Sequence, residues 1–75
     1  MAPPPEVLTP HECAALIAYS HLESWARVAE ALGIREQSAK NIARQIHAKL
    51  GVTTTTRAVV VALEAGYITL AEVAA

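Results

Sequence analysis

The sequence of 75 residues contains no aspartate and no phenylalanine, and it has only one cysteine. A single cysteine, Cys13, excludes an internal disulfide. The three histidines, His11, His21 and His47, are scattered along the chain, and with one cysteine they do not form a metal-ligand pattern. We therefore expect no disulfide, no metal ion and no cofactor in this fold.

Catalytic groups are also scarce. A protein nucleophile needs a base within hydrogen-bond reach, but His11 and Cys13 are two positions apart on a predicted helix and point to different sides. The seven acidic residues, all glutamates, are spread along the chain, and we expect His47 to be a surface histidine. The sequence therefore predicts a protein that is not an enzyme.

Long apolar runs are absent as well. No stretch of about 20 apolar residues is available to cross a bilayer. The first six residues, Met-Ala-Pro-Pro-Pro-Glu, lack the cationic start and the apolar run of an export signal. These absences predict a cytoplasmic protein with no membrane partner.

Proline and capping residues divide the chain into an arm followed by helices. Residues 1–7 contain three consecutive prolines, which predicts a flexible proline-rich arm. Thr9, Pro10 and Glu12 form the pattern of a capping box with proline in the first turn, so helix 1 begins at Pro10. Because no segment alternates convincingly with a period of two, the predicted fold class is all-α.

The other helices follow from their caps and stops. Ser24 is a good N-cap for helix 2, and we expect Thr55 or Thr56 to cap helix 4. A glycine follows each of helices 2, 3 and 4 and ends it. Thr69 and Glu72 repeat the capping box. The predicted bounds are 10–20, 25–32, 36–50 and 57–65, followed by a short C-terminal helical extension in 69–75.

Helix 3 has two faces of different chemistry. Its outward face carries amides and cations and no carboxylate, the side-chain set that pairs with base edges and phosphates in a major groove. A solvated amphipathic helix without a ligand is the alternative interpretation. The outward residues are Gln37, Lys40, Asn41, Arg44 and Ala48, and the apolar stripe consists of Ala39, Ile42, Ala43, Ile46 and Leu50.

Charge is polarised along the sequence, although the net charge is only −1. All six cations lie between Arg27 and Arg57, together with Glu30 and Glu36, so this window carries +4. The other five glutamates lie outside the window and give the two ends −5. A molecule polarised in this way can present one basic side to a phosphate backbone.

Helix 2, a short turn with Gly33, and helix 3 form a helix-turn-helix pattern, whose second helix enters the major groove. Several anchor residues at fixed spacing make this pattern more specific. They are Leu8-Thr9-Pro10-x-Glu12, Val28-Ala29-x-x-Leu32-Gly33-Ile34, Ser38-Ala39-Lys40-Asn41, Ile46-x-x-Lys49-Leu50-Gly51-Val52 and Ala58-Val59-x-x-Ala62-x-x-x-Gly66-Tyr67-Ile68. On these residues, the segment 8–68 resembles the LuxR-type (GerE-like) helix-turn-helix domain of bacterial transcription regulators.

The resemblance implies a four-helix domain whose third helix lies in the major groove and whose fourth helix often forms a two-fold dimer. The implied function is sequence-specific binding of double-stranded DNA by a transcriptional regulator. We expect a free-standing domain without the receiver or ligand-sensing domain that family members usually carry. The resemblance implies base contacts from Lys40, Asn41 and Arg44 and a phosphate contact from Lys49, with Ser38 in the place of the family's threonine. To these we add Gln37, which shares the outward face, as a base contact, and we expect Thr9, Ser38 and Arg57 to contact phosphates as Lys49 does.

Three positions depart from the family's pattern in ways that concern the fold. His11 and Ala14 stand where the family has an arginine and a glutamate that help to lock helix 1 to the rest of the domain. We expect apolar packing to replace that polar link. Arg35 stands where the family has a capping serine and is a poor cap, so we expect the start of helix 3 to be frayed or to be satisfied by Ser38.

Helix 4 has more apolar surface than one small core needs. We expect Val60, Val61 and Glu64 to lie in a homodimer interface. In the competing interpretation, Leu70 and Val73 of the C-terminal extension fold back over this surface.

A second class of function remains open at this point. The same scaffold can serve as a protein-binding adaptor or phage-type factor. Such a protein would engage RNA polymerase or another regulator through the apolar helix 4 and the acidic ends of the chain. Weak retention on heparin, with no shift of any DNA, would favour the adaptor.

Overall fold

The computed structural model describes residues 8–74, so the predicted arm in residues 1–7 and the last residue of the predicted extension lie outside the described residues. Within this range all regular secondary structure is helical, which confirms the all-α prediction, and no helix is long and apolar enough to cross a membrane. The helices are α1 (Pro10–Leu22), α2 (Trp25–Leu32), α3 (Glu36–Leu50), α4 (Thr55–Ala65) and α5 (Leu70–Ala74).

Helix α1 begins where the capping box predicts. The Thr9 hydroxyl accepts a hydrogen bond from the Glu12 amide at 3.1 Å, and the Thr9 amide donates to Glu12 Oε1 at 2.8 Å. The helix runs two residues beyond the predicted end and stops at Glu23, which takes the left-handed conformation at φ 53°. The Glu23 amide donates a hydrogen bond to the Tyr19 carbonyl, so the last turn of α1 is capped without a glycine.

Helix α4 begins two residues earlier than predicted. The N-cap is Thr54, whose hydroxyl accepts from the Arg57 amide at 3.2 Å, so the prediction of Thr55 or Thr56 as the cap is wrong. With Thr54 at the cap, Thr55 becomes the first helical residue and its side chain is buried. Thr55 is therefore a packed helical residue and not the cap.

The core lies where α1, α3 and α4 meet. Leu16 and Ile46 are fully buried there, and they belong to one cluster with the buried residues Leu8, Ala58, Ala62 and Ile68. Helix α2 packs on α1 and α3, and α5 packs on α1. Because alanine fills two of the α4 positions in this cluster, the small side chains let the helices approach closely. This arrangement fixes α3 on one side and leaves its other side at the surface.

Candidate nucleic-acid interface

The turn between α2 and α3 sets the direction of α3. Gly33 adopts the left-handed conformation at φ 68°, which glycine reaches without steric cost. Its amide donates to the Glu30 carbonyl at 3.2 Å, and the Ile34 amide donates to the Ala29 carbonyl at 2.9 Å. The last carbonyls of α2 are therefore satisfied within a three-residue turn. Helices α2 and α3 pack against each other on either side of this turn.

Helix α3 buries one face and exposes the other. Ala39, Ala43 and Ile46 are buried, which agrees with the predicted apolar stripe. The N-cap residue Arg35 makes no side-chain cap hydrogen bond. All four predicted base-contact side chains lie on the exposed face, which we call the α3 face: Gln37, Lys40, Asn41 and Arg44.

Two side-chain pairs occupy the N-terminal half of the α3 face. Lys40 Nζ lies 3.2 Å from Glu36 Oε2, and Gln37 Nε2 donates to Asn41 Oδ1 at 3.2 Å. Glu36 therefore places a carboxylate beside this face, which the helical-wheel prediction did not include. The side chains of Lys40 and Glu36 are both more than half exposed. An exposed pair at this spacing is weak, so a phosphate can compete for the ammonium.

The C-terminal half of the α3 face is open. Asn41, Arg44, Gln45 and Ala48 line a surface depression of about 420 Å³. Among residues 8–74, no hydrogen bond or ion pair engages the side chain of Arg44 or Gln45. Their donors and acceptors are therefore available to a ligand that enters the depression.

Three of the four predicted phosphate contacts are at the surface. Ser38 lies in the first turn of α3, and Arg57 lies in the first turn of α4. Thr9, the N-cap of α1, is exposed as well. Its hydroxyl oxygen is used as a cap acceptor, but its proton can still be donated to an anion.

The fourth predicted phosphate contact, Lys49, is engaged inside the domain. Its Nζ lies 2.7 Å from Glu12 Oε1, its side chain is 22% exposed and that of Glu12 only 4%. This ion pair joins α3 to α1 and is a polar link that the expectation of apolar packing at positions 11 and 14 did not include. A phosphate contact from Lys49 would leave the buried Glu12 carboxylate without its counter-charge. The pairing therefore counts against a phosphate contact and favours a structural role.

The surroundings of Glu12 keep it ionised. Burial raises the pKa of its carboxyl, but hydrogen bonds from Lys49 and from the Thr9 backbone outweigh burial, so the pKa lies below its ordinary value. The neighbouring Cys13 shows the opposite shift. Burial, followed by the charges of Glu12 and Glu72, raises the pKa of its thiol. The thiol therefore stays protonated, as suits a small side chain packed against the core.

Thr55 is a residue whose role the sequence did not indicate. Trp25 Nε1 donates to the Thr55 hydroxyl at 3.3 Å, and His47 Nε2 lies 2.9 Å from the same oxygen. The three side chains come from α2, α3 and α4, so this contact joins α2 and α3 to α4. His47 is accordingly half-buried and less exposed than the predicted surface histidine. Thr55 is one of four consecutive threonines, and nothing in the sequence distinguishes it from the other three, so this contact could not be predicted.

The predicted dimer surface on α4 is partly open. Val60 is 43% exposed, Glu64 is exposed and Val61 is half-buried. Helix α5 packs on α1, where His21 Nε2 donates to the Glu72 carbonyl at 2.8 Å. Of the two residues in the competing interpretation, Leu70 is 69% exposed, whereas Val73 is half-buried and packs against the core cluster. The C-terminal helix therefore leaves Val60 available to a partner.

Comparison of the chain with family models, with curated proteins and with solved structures gives no match. The function of the α3 face therefore has to be inferred from its own chemistry. Among residues 8–74, no three histidine, cysteine or acidic side chains are grouped so that they could hold a metal ion.

Proposed function

We propose that the protein is a sequence-specific DNA-binding transcriptional regulator of the LuxR type, which places α3 in the major groove of double-stranded DNA. The observation that carries this proposal is the α3 face itself. Gln37, Lys40, Asn41 and Arg44 are all exposed along one helix that directly follows a short helix-turn-helix turn. The face is thus both polar and accessible.

The side chains of the α3 face suit the edges of bases. The guanidinium of Arg44 can donate two hydrogen bonds to O6 and N7 of guanine, and the amide of Asn41 can pair with N6 and N7 of adenine. Each good pair of this kind contributes about 1–3 kcal/mol of discrimination against the wrong base. Gln37 donates to Asn41 Oδ1 at the same spacing as the Glu36–Lys40 pair, which favours one orientation of that amide. These contacts would supply the sequence preference.

Contacts with phosphate would set the position of the domain on the duplex. Thr9, Ser38 and Arg57 serve this role in the proposal, and Lys49 is left out because it pairs with Glu12. Few exposed cations remain on a chain of net charge −1, so one protomer binds weakly. We therefore propose binding as a homodimer through the exposed part of α4 around Val60.

A second candidate function is that of a protein-binding adaptor. Two large apolar side chains, Val60 and Leu70, are 43% and 69% exposed, and apolar side chains of this exposure suit a protein partner. The partner in that case is RNA polymerase or another regulator. Elution from heparin at low salt, without a shift of any DNA, would support the adaptor and reject the DNA-binding proposal.

The test begins with selection of bound sites from random double-stranded DNA. The selected site and a shuffled copy are then compared in gel shifts with the wild-type protein and with the double variant Lys40→Ala and Arg44→Ala. We expect the double variant to lose the preference for the selected site, because it lacks two of the proposed base contacts. Circular dichroism checks that it remains helical.

The matched control is Arg27→Ala, which removes an exposed cation from α2. We expect this variant to keep the wild-type ratio of affinities for the selected and shuffled sites, even if both affinities fall together. Retention of the full preference by the double variant would reject α3 as the recognition helix. Failure of the selection to enrich any sequence would reject sequence-specific DNA binding.

A further inference from the structure

The two halves of the α3 face differ in whether their side chains form hydrogen bonds or ion pairs with other residues of the protein. In the N-terminal half, Lys40 is paired with Glu36 and Gln37 with Asn41. In the C-terminal half, the structure described for residues 8–74 gives Arg44 and Gln45 no such partner. Three of the four residues that line the depression, Arg44, Gln45 and Ala48, lie in this second half, and Asn41 lies at its edge. The C-terminal half is therefore the part of the face whose polar side chains no other described residue already engages.

The lining of the depression combines polar side chains with one methyl group. Asn41, Arg44 and Gln45 are long or branched polar residues, whereas Ala48 presents only its Cβ methyl to solvent. A methyl group cannot donate or accept a hydrogen bond, so Ala48 cannot distinguish bases by polar contacts. In the major groove, thymine is the base that offers an apolar group, its C5 methyl, and alanine is among the side chains that contact it.

The spacing on the helix places Ala48 next to the guanine contact. Arg44 and Ala48 are four residues apart on the same side of α3, which corresponds to about 6 Å along the helix axis. Stacked base pairs rise by about 3.4 Å, so the two side chains face bases about two steps apart. The guanidinium suits a guanine at one of these positions, and the alanine suits a thymine at the other.

We propose that Ala48 is a specificity-determining residue that packs against the C5 methyl of a thymine about two base pairs from a guanine bound by Arg44. The inference rests on the proposed DNA-binding function and refines it, because it names a group on the DNA that this position recognises. The small size of Ala48 also keeps the depression open for the base. A larger side chain at position 48 would fill the space that the thymine methyl occupies.

The experiment replaces thymine by deoxyuridine, which lacks only the C5 methyl, at each thymine of the selected site in turn. We expect one replacement to weaken binding of the wild-type protein about fourfold, the effect of uncovering one buried methyl group. The Ala48→Ser variant converts the methyl into a hydroxymethyl group, which places a polar oxygen where the thymine methyl would pack. We expect Ala48→Ser to bind the thymine and deoxyuridine forms of that position equally well.

The control variant Ala31→Ser changes an exposed alanine on α2 and should keep the wild-type sensitivity to deoxyuridine. Binding of the selected site with no effect of any single replacement would overturn the role of Ala48 and leave the proposed function standing. Persistence of the sensitivity in Ala48→Ser would also overturn it. Absence of specific DNA binding by the wild-type protein would reject both the proposed function and this refinement.

Discussion

Glu12 has two roles at the start of α1. Its carboxylate accepts the Thr9 amide in the capping box, and the same oxygen accepts a hydrogen bond from Lys49 on α3. One side chain thus begins the first helix and ties it to the helix that carries the proposed recognition face. A small domain has little core to replace such a contact, so we expect Glu12 to matter more for stability than its surface neighbours.

The lowered pKa of Glu12 predicts acid lability with a definite sign. A carboxyl whose pKa is lower in the folded state stabilises the fold above its unfolded value of about 4.3. That stabilisation is lost as the pH falls below this value and through the lower folded pKa. Thermal melts followed by circular dichroism between pH 7 and pH 3 should show a decline in wild-type stability below about pH 4.3. In Glu12→Gln this part of the decline should be absent, whereas the exposed control Glu30→Gln should keep it.

A double-mutant cycle tests whether Lys49 acts through Glu12. Glu12→Gln keeps an acceptor for the Thr9 amide, and Lys49→Met keeps the apolar stem of the lysine. A hydrogen bond to a charged group contributes about 1.5–3 kcal/mol, so we expect each single variant to lose about that much free energy of unfolding. Because both remove the same contact, the double variant should lose clearly less than the sum.

The same Lys49→Met variant separates the structural role from a phosphate contact. Loss of a phosphate contact lowers the salt dependence of DNA binding by about one unit of slope. We expect the slope to stay at the wild-type value when measured well below the unfolding temperature. Additive losses of stability in the cycle, together with a reduced slope, would return Lys49 to the phosphate-contacting set.

At the scale of elements, local signals predicted most helix bounds. The capping box of Thr9 and Glu12 and the glycine after each of α2 and α3 act within one turn of chain, so their effect can be derived from adjacent residues. The cap of α4 could not be derived in this way. Four consecutive threonines are nearly equal as caps, and the choice depends on the contact of Thr55 with Trp25 and His47.

In the candidate site, too, local sequence patterns predicted some features and could not predict others. Helical periodicity was sufficient to place Arg44 and Asn41 on an exposed face, because that face follows from the buried stripe of one helix. The partner of Lys49 is 37 positions away in the sequence. No local sequence pattern connects two such positions. The ion pair depends on how α1 and α3 pack together, which the sequence alone does not give.

Helix α4 offers a direct test of its cap. Removing a threonine N-cap costs about 1 kcal/mol, which in a domain of this size lowers the melting temperature by about 4–8 °C. We therefore expect Thr54→Ala to lower the midpoint of thermal unfolding by that amount. Thr56→Ala, which changes an exposed threonine inside the helix, should cost less than about 0.5 kcal/mol. A larger effect at Thr56 than at Thr54 would contradict the observed cap.

At the scale of the whole molecule, charge and apolar surface both bear on assembly. The basic window from Arg27 to Arg57 contains all of α3, and the net charge of the chain is −1. Affinity for DNA depends strongly on the number of phosphates that a protein neutralises. In the proposed function, a single domain would therefore bind DNA weakly. Two domains bound to adjacent half-sites would add their contacts, and Val60, which is 43% exposed on α4, is the surface available for that pairing.

Pairing through α4 can be measured by sedimentation equilibrium. We expect the wild-type protein to have twice the 7.9 kDa mass of the chain and Val60→Glu to have the mass of one chain. The reason is that a carboxylate at the centre of the interface would be buried without a partner. Leu70→Glu is the matched control, since it places the same charge on an apolar residue that is 69% exposed on α5. It should leave the dimer intact. A wild-type monomer, or a dimer lost in Leu70→Glu and kept in Val60→Glu, would contradict pairing through α4. If the prediction holds, Val60→Glu should also lose affinity for a two-half-site DNA while keeping affinity for one half-site, because only the former uses both copies of the α3 face.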